Sequence, residues 1–129
     1  MKLNPMDLGV CGVEQVFYAG SISFDTDGAS AGAAIGRVPA NTIITGAVAV
    51  IRTAFNAATT NVLTVGTSGA ADNIFGADDI KEDSTGPNIK NVWLECEDET
   101  EVKAKYTQTG DAATAGKADV FLKVVRCPD

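Results

Sequence analysis

The segment that most restricts the fold is TIITGAVAVIRTAF, Thr42 to Phe55. It is rich in Ile, Val and Thr, the side chains that suit a pleated sheet. No glycine–proline pair or helical spacing interrupts it. One alternation set carries Ile43, Thr45, Ala47, Ala49, Ile51, Thr53 and Phe55; the other carries Ile44, Gly46, Val48, Val50, Arg52 and Ala54. Both sets are largely apolar. A strand with one face in water shows a sharper contrast, so both faces of this one call for cover. Because Arg52 ends the second set, Ile43, Ile51 and Phe55 are expected in the core. Gly46, Val48 and Val50 then become candidate contacts between protomers. A central strand enclosed within a single chain satisfies the same pattern.

The rest of the chain supplies strands but no helix. Val13 to Asp25 is the first strand region, with a bend or bulge expected at Ala19-Gly20. Asp25-Thr26-Asp27-Gly28 is a turn, since aspartate bonds to its own backbone and glycine supplies positive φ. Ala29 to Gly36 is expected as a loop running into a short strand around Ala34 to Val38. Asn61 to Thr67 is expected to return from Thr42–Phe55 as the second arm of a long hairpin. Gly66 to Gly76 is a small-residue loop in which Asn73-Ile74-Phe75 anchors onto the core. Ile89 to Glu97 alternates Val92, Leu94 and Cys96 against Trp93, Glu95 and Glu97. Glu101 to Gln108 alternates Val102, Ala104 and Tyr106 against Lys103 and Lys105, the sharpest alternation in the chain. Paired as a hairpin, these two strands would set Lys103 and Lys105 against Glu95 and Glu97, at about 0.2–1 kcal/mol per pair. Ala118 to Cys127 is the last strand, with Val120, Leu122 and Val124 inward. Phe121 and Val125 share the outward side with Asp119 and Lys123.

Seven to eight strands punctuated by Gly, Asp, Asn and Thr turns imply an all-β protein, an antiparallel β-sandwich. Long connections favour a jelly-roll-like order over a meander. Residues 1–12 are expected to form an N-terminal arm and residues 13–129 a single sandwich domain, in keeping with the length.

Composition limits what such a domain does. A formal net charge of -7 argues against nucleic-acid binding and against an anionic membrane surface. The sequence contains no histidine, which removes Ser-His-Asp and Cys-His nucleophile pairs and the usual zinc sites. Cys11, Cys96 and Cys127 are far apart in sequence and are expected as reduced, apolar fillers, with a Cys11–Cys127 bridge as the alternative. The densest acidic run, Glu95 to Glu101, falls at an expected solvated turn, which offers no raised catalytic pKa. No cofactor is implied and no enzyme activity is expected. Asp78, Asp79, Glu82 and Asp83 form a charged loop that suits either plain solvation or calcium, if their oxygens converge. Trp93 and Tyr106 are candidate ligand or partner contacts, through stacking on a sugar or packing against another chain.

The run VPANTIITGAVAVIRTAFNAATTNVLTVGTSGAADN resembles a pattern common in small bacteriophage structural proteins encoded among head and tail genes. Its pieces fall at Pro39–Thr45, Ala47–Ile51, Thr53–Ala57 and Leu63–Thr67. Tyr106–Gly110 and Thr114–Leu122 continue it. Residues 1–38 and the ADDIKED segment take no part in the likeness. The resemblance implies a non-enzymatic β-sandwich of the virion, a capsid decoration or capsid- or tail-associated component. Such a chain would be assembled in the bacterial host cytoplasm as a homo-oligomer, a trimer or another cyclic form, bound to other virion proteins. The alternative reading is a carbohydrate-binding module or the receptor-binding tip of a tail fibre.

Overall fold

The computed structural model describes residues 14–67 and 70–126. The expected N-terminal arm and the Cys11–Cys127 bridge lie outside the described residues. Eight strands follow one another: β1 Glu14–Ser23, β2 Ala33–Val38, β3 Thr42–Thr53, β4 Thr60–Thr67, β5 Ala70–Phe75, β6 Gly86–Cys96, β7 Thr100–Thr109 and β8 Lys117–Arg126. They form two four-stranded antiparallel sheets, ordered β1-β8-β3-β6 and β2-β7-β4-β5. First strand pairs with last, second with seventh, third with sixth and fourth with fifth. This is the nested order of a long two-stranded ribbon rolled up on itself, and it is jelly-roll-like.

The core lies between the two sheets. Ile44, Ala47, Ala49 and Ile51 of β3 and Val120 and Leu122 of β8 enter it from one side. Leu63 and Val65 of β4, Val102 and Ala104 of β7, and Ile74 and Phe75 of β5 enter it from the other. Phe55, on the β3–β4 crossing, seals one end, its ring 4.6 Å from that of Tyr106.

Two expected hairpins are replaced by crossings. β3 and β4 are consecutive strands of different sheets, and so are β6 and β7. Alternation shows that Val92, Leu94 and Cys96 need cover, as do Val102, Ala104 and Tyr106. That need is met equally well side by side or in opposite layers, and here the two stripes belong to different sheets, each turned towards the shared core. Lys103 therefore sits between Ala34 and Gly66, and Lys105 beside Thr64, with Glu95 and Glu97 out of reach on the other layer. The segment Gly66–Gly76 is also more ordered than expected: β5 occupies Ala70–Phe75 and makes the one connection within a sheet, from β4. Its Ile74 and Phe75 anchor as expected.

A third correction concerns Ile43. The expected bend in β1 is present, as a register shift between Tyr18 and Gly20. β3 carries another, between Ile44 and Gly46, that the sequence reading did not include. One extra residue reverses which set faces inward. Ile44 is fully buried, whereas Ile43 lies half-buried on the outer face. Ile51 and Phe55, beyond the shift, are in the core as expected.

Candidate functional site

The two outer faces of the sandwich differ. The outer side of β2-β7-β4-β5 is polar: Arg37, Glu101, Lys103, Lys105 and Thr107 line it, and Arg37 bonds Glu99 at 2.7 Å. This sheet satisfies the ordinary rule of one dry face and one wet one.

The outer side of β1-β8-β3-β6 does not. Register places Tyr18 beside Phe121, Phe121 beside Val48, and Val48 beside Ile89. One apolar row thus crosses all four strands. Val16 lies in the next row towards one end, with Trp93 one row beyond it on β6, and Val50 and Pro87 lie in the next row towards the other. Ile89 is 67% exposed, Trp93 64%, Val16 61% and Tyr18 53%. These are the large exposed hydrophobic residues among the described ones, and all four lie on this face. Single exposed apolar residues are common, whereas a row four strands wide forms a contiguous apolar patch.

Polar groups frame the row and are mostly held in place. The Tyr18 ring packs 5.4 Å from Phe121, and its hydroxyl donates to Asp119 Oδ1 at 3.4 Å. Arg52 Nε donates to Asp119 Oδ2 at 2.9 Å. Thr45 Oγ1 donates to Glu14 Oε2 at 2.7 Å, and Trp93 Nε1 to Glu95 Oε2 at 3.3 Å. Gly46 lies beneath the stem of Lys123.

The sequence-derived candidates divide accordingly. Gly46, Val48, Val50 and Trp93 all lie on this outer face. Tyr106 does not: it is 3% exposed, packed on Phe55, and its hydroxyl donates to Asn61 Oδ1 at 2.5 Å. Its shared stripe with Val102 and Ala104 carries it inward, so it offers no surface for a ligand. Tyr18, Phe121 and Ile89 were missed. The available signal was the imperfect alternation of β8, where Phe121 and Val125 stand among the outward charges.

The acidic loop after β5 behaves differently from a metal site. Asp79 accepts from Gly76 N at 2.7 Å and from Lys90 Nζ at 2.5 Å, and these bonds hold its carboxyl below the usual aspartate value. Glu82 turns inward, is 8% exposed, and accepts from Leu63 N at 2.9 Å. Among the described residues, no three acidic or thiol groups converge. Cys96 is buried, and burial pushes its thiol above the ordinary value.

Burial likewise raises the Glu82 carboxyl above its ordinary 4.5, against the opposing pull of the Leu63 N–H. The fold therefore binds this proton more tightly than the unfolded chain. Its contribution to stability is fully present below the ordinary value and is lost as pH rises through the raised one. Glu82→Gln keeps an acceptor for Leu63 N without burying a charge. Its stability relative to the parent is expected to improve between about pH 4 and about pH 7, a window set by glutamate titration. Urea midpoints at the two pH values measure this, and a difference that does not change with pH contradicts it.

No protein-family model and no curated protein matches the chain. Solved structures do. A chain of the cyanophage Pam1 capsid asymmetric unit superposes with a TM-score of 0.72 at 21% identity, over 98% of this chain and 94% of that one. A chain of the capsid of Ralstonia phage GP4 superposes with a TM-score of 0.61 at 18% identity, over 100% and 92%. The fold is shared with chains of two phage capsids. It is shared along nearly the whole length on both sides, so the likeness covers both sheets and not a single motif.

Proposed function

We propose that this chain is a non-enzymatic structural component of a bacteriophage particle. It associates with the capsid and works through subunit contacts made by the outer face of the β1-β8-β3-β6 sheet. The observation that carries the reading is the uncovered row Tyr18–Phe121–Val48–Ile89 on a fold shared end to end with phage capsid chains. A decoration protein needs a stable sandwich, polar loops and one surface able to exchange water for protein, and the exposed apolar row supports the last of these. The half-buried Val48 and Val50 lie within that surface, as the two-sided pattern of the central strand requires.

The receptor-binding alternative draws on Trp93, which is exposed enough to stack on a sugar. Its surroundings favour protein instead: Trp93 lies on the open outer face of a sheet beside an apolar row, whereas sugar sites combine an aromatic platform with converging polar groups in a concave site.

Both readings are separated by one experiment on the purified chain. With capsid shells of the same virus, the chain is expected to co-sediment, and Trp93 emission to shift to the blue as water leaves the face. Oligosaccharides are expected to leave that emission unchanged. A chain that stays in the supernatant, or emission quenched by a glycan, contradicts the proposal.

A further inference from the structure

We propose that the open edge of β4, beside the acidic loop, takes a short extended peptide carrying a lysine or arginine, which continues the sheet where β5 stops. The site belongs to the β2-β7-β4-β5 sheet. It works through backbone and charge and makes no use of the apolar row.

β4 pairs with β7 from Thr60 to Thr67, but with β5 only at Val65 and Thr67. In an antiparallel strand the backbone groups of every second residue point to the same side. Leu63 N turns away from β7 and donates to Glu82 Oε2 at 2.9 Å. Leu63 O and the N and O of Asn61 turn the same way. Among the described residues no side chain and no loop backbone group bonds these three. Glu82 thus stands in for one acceptor that a neighbouring strand would supply, and the groups beyond it stay open.

The edge is held in strand form without that neighbour. Asn61 Oδ1 accepts from Ala57 N at 2.9 Å and from the Tyr106 hydroxyl at 2.5 Å, and Asn61 Nδ2 donates to Ala57 O at 3.2 Å. A side chain fixed in this way leaves the Asn61 backbone little freedom to lose on binding. An open, ordered edge is a template for strand addition, in which main-chain bonds supply affinity and flanking side chains supply selectivity.

A groove of about 450 Å³ runs beside the edge, between residues 59–62 and residues 77, 78 and 80–83. That volume is within the range of ordinary ligand sites. Charge selects the occupant. Asp78, Glu82 and Asp83 line the groove against a single cation, Lys81. Neighbouring Asp79 is already paired with Lys90, whereas among the described residues Asp78 and Asp83 have no ion-pair partner. Burial is the main cause that raises the Glu82 carboxyl, and Asp83 and Asp78 add to it, so these acids repel one another. A basic side chain on an added strand relieves that repulsion, and an acidic one increases it. Among the described residues no three acids converge on one point, so a cation on a flexible stem fits where a bare metal ion does not.

Amide NMR of the full chain tests this, with two blocked heptapeptides as probes: acetyl-Thr-Val-Thr-Arg-Thr-Val-Thr-amide, and the same peptide with Glu in place of Arg. The arginine peptide is expected to shift the Asn61 and Leu63 amides and to slow hydrogen exchange at Asn61. The glutamate peptide is expected to bind about tenfold more weakly, as like charge in a recognition site does. Asp78→Lys combined with Asp83→Lys, both at exposed positions, is expected to remove most of that preference. Ile89→Ser, on the apolar row, is expected to leave peptide binding unchanged. Equal binding of the two peptides, shifts along β6 in place of β4, or binding lost in Ile89→Ser overturns the proposal. So does an Asn61 amide that stays unprotected at millimolar arginine peptide.

Discussion

Phe55→Ala is expected to lower the unfolding free energy by about 4 kcal/mol, within the range for a phenylalanine removed from a core. Phe55 is 1% exposed and sits where β3 crosses to the other sheet. Three neighbours depend on it. Tyr106 packs its ring against it at 4.6 Å. Gly116 approaches so closely that a Cβ there would fall 2.3 Å from the Phe55 ring, so the β7–β8 connection is shaped around this side chain. Its own N–H donates to Glu82 O at 2.9 Å, which ties the acidic loop to the crossing. Removing the ring leaves a cavity that none of these can fill without breaking a bond, because the Tyr106 hydroxyl is held by Asn61, which also bonds Ala57. For a domain with roughly 5–15 kcal/mol in hand, this is a large fraction. Val16→Ala is the control, expected to change stability by about 0.5 kcal/mol or less, as for an exposed site. Denaturant melts of both variants check the pair. Equal losses would mean that the core does not close at this end.

Such a residue was legible in the sequence because its surroundings were. Phe55 ends the apolar stretch that begins at Thr42, in the alternation set opposite Arg52. The same is true of Val120, Leu122 and Val124, of Val102 and Ala104, and of the Asp25–Gly28 turn. Alternation reports which side of a strand is dry. It does not report which strand lies alongside, so the crossings β3–β4 and β6–β7 were read as hairpins. The difference is decided by how all eight strands nest, a global choice that no window of ten residues contains. Bulges are the second blind spot. A register shift costs one residue and leaves composition unchanged, so Ile43 and Ile44 exchange roles without a local mark. Ala19-Gly20 was recognisable because glycine announces it; Thr45 announces nothing. The interaction face was half legible for the same reason. Val48 and Val50 stood out within one strand, whereas the row that gives them meaning comes from β1, β8 and β6 and exists only once those strands are in register.

Gly36→Ala is the other substitution expected to have a large effect, a loss of about 3 kcal/mol or more, at the upper end for overpacking. The two sheets meet along one side where edge strands β1 and β2 bring their bulges together. A Cβ on Gly36 would lie 1.7 Å from Ala19 O and 2.8 Å from Ala19 C. The reciprocal approach, Gly20 against Ile35 O at 2.2 Å, is equally tight. Backbone on both sides leaves no flexible side-chain end to move aside, so the β1 and β2 edges must separate. That separation would uncover the side of the core at Ala19 and Ile22 and tilt β1, which carries Val16 and Tyr18 of the apolar face. Gly36→Ala should therefore weaken co-sedimentation with capsid shells as well as stability. Gly28→Ala makes the comparison. It has open space around it and a φ of 76°, so only the left-handed backbone is strained, at about 1 kcal/mol. Thermal melts and sedimentation of the two variants separate the causes. If Gly36→Ala costs no more than Gly28→Ala, the edges are not in contact, and the shape of the apolar face does not depend on them.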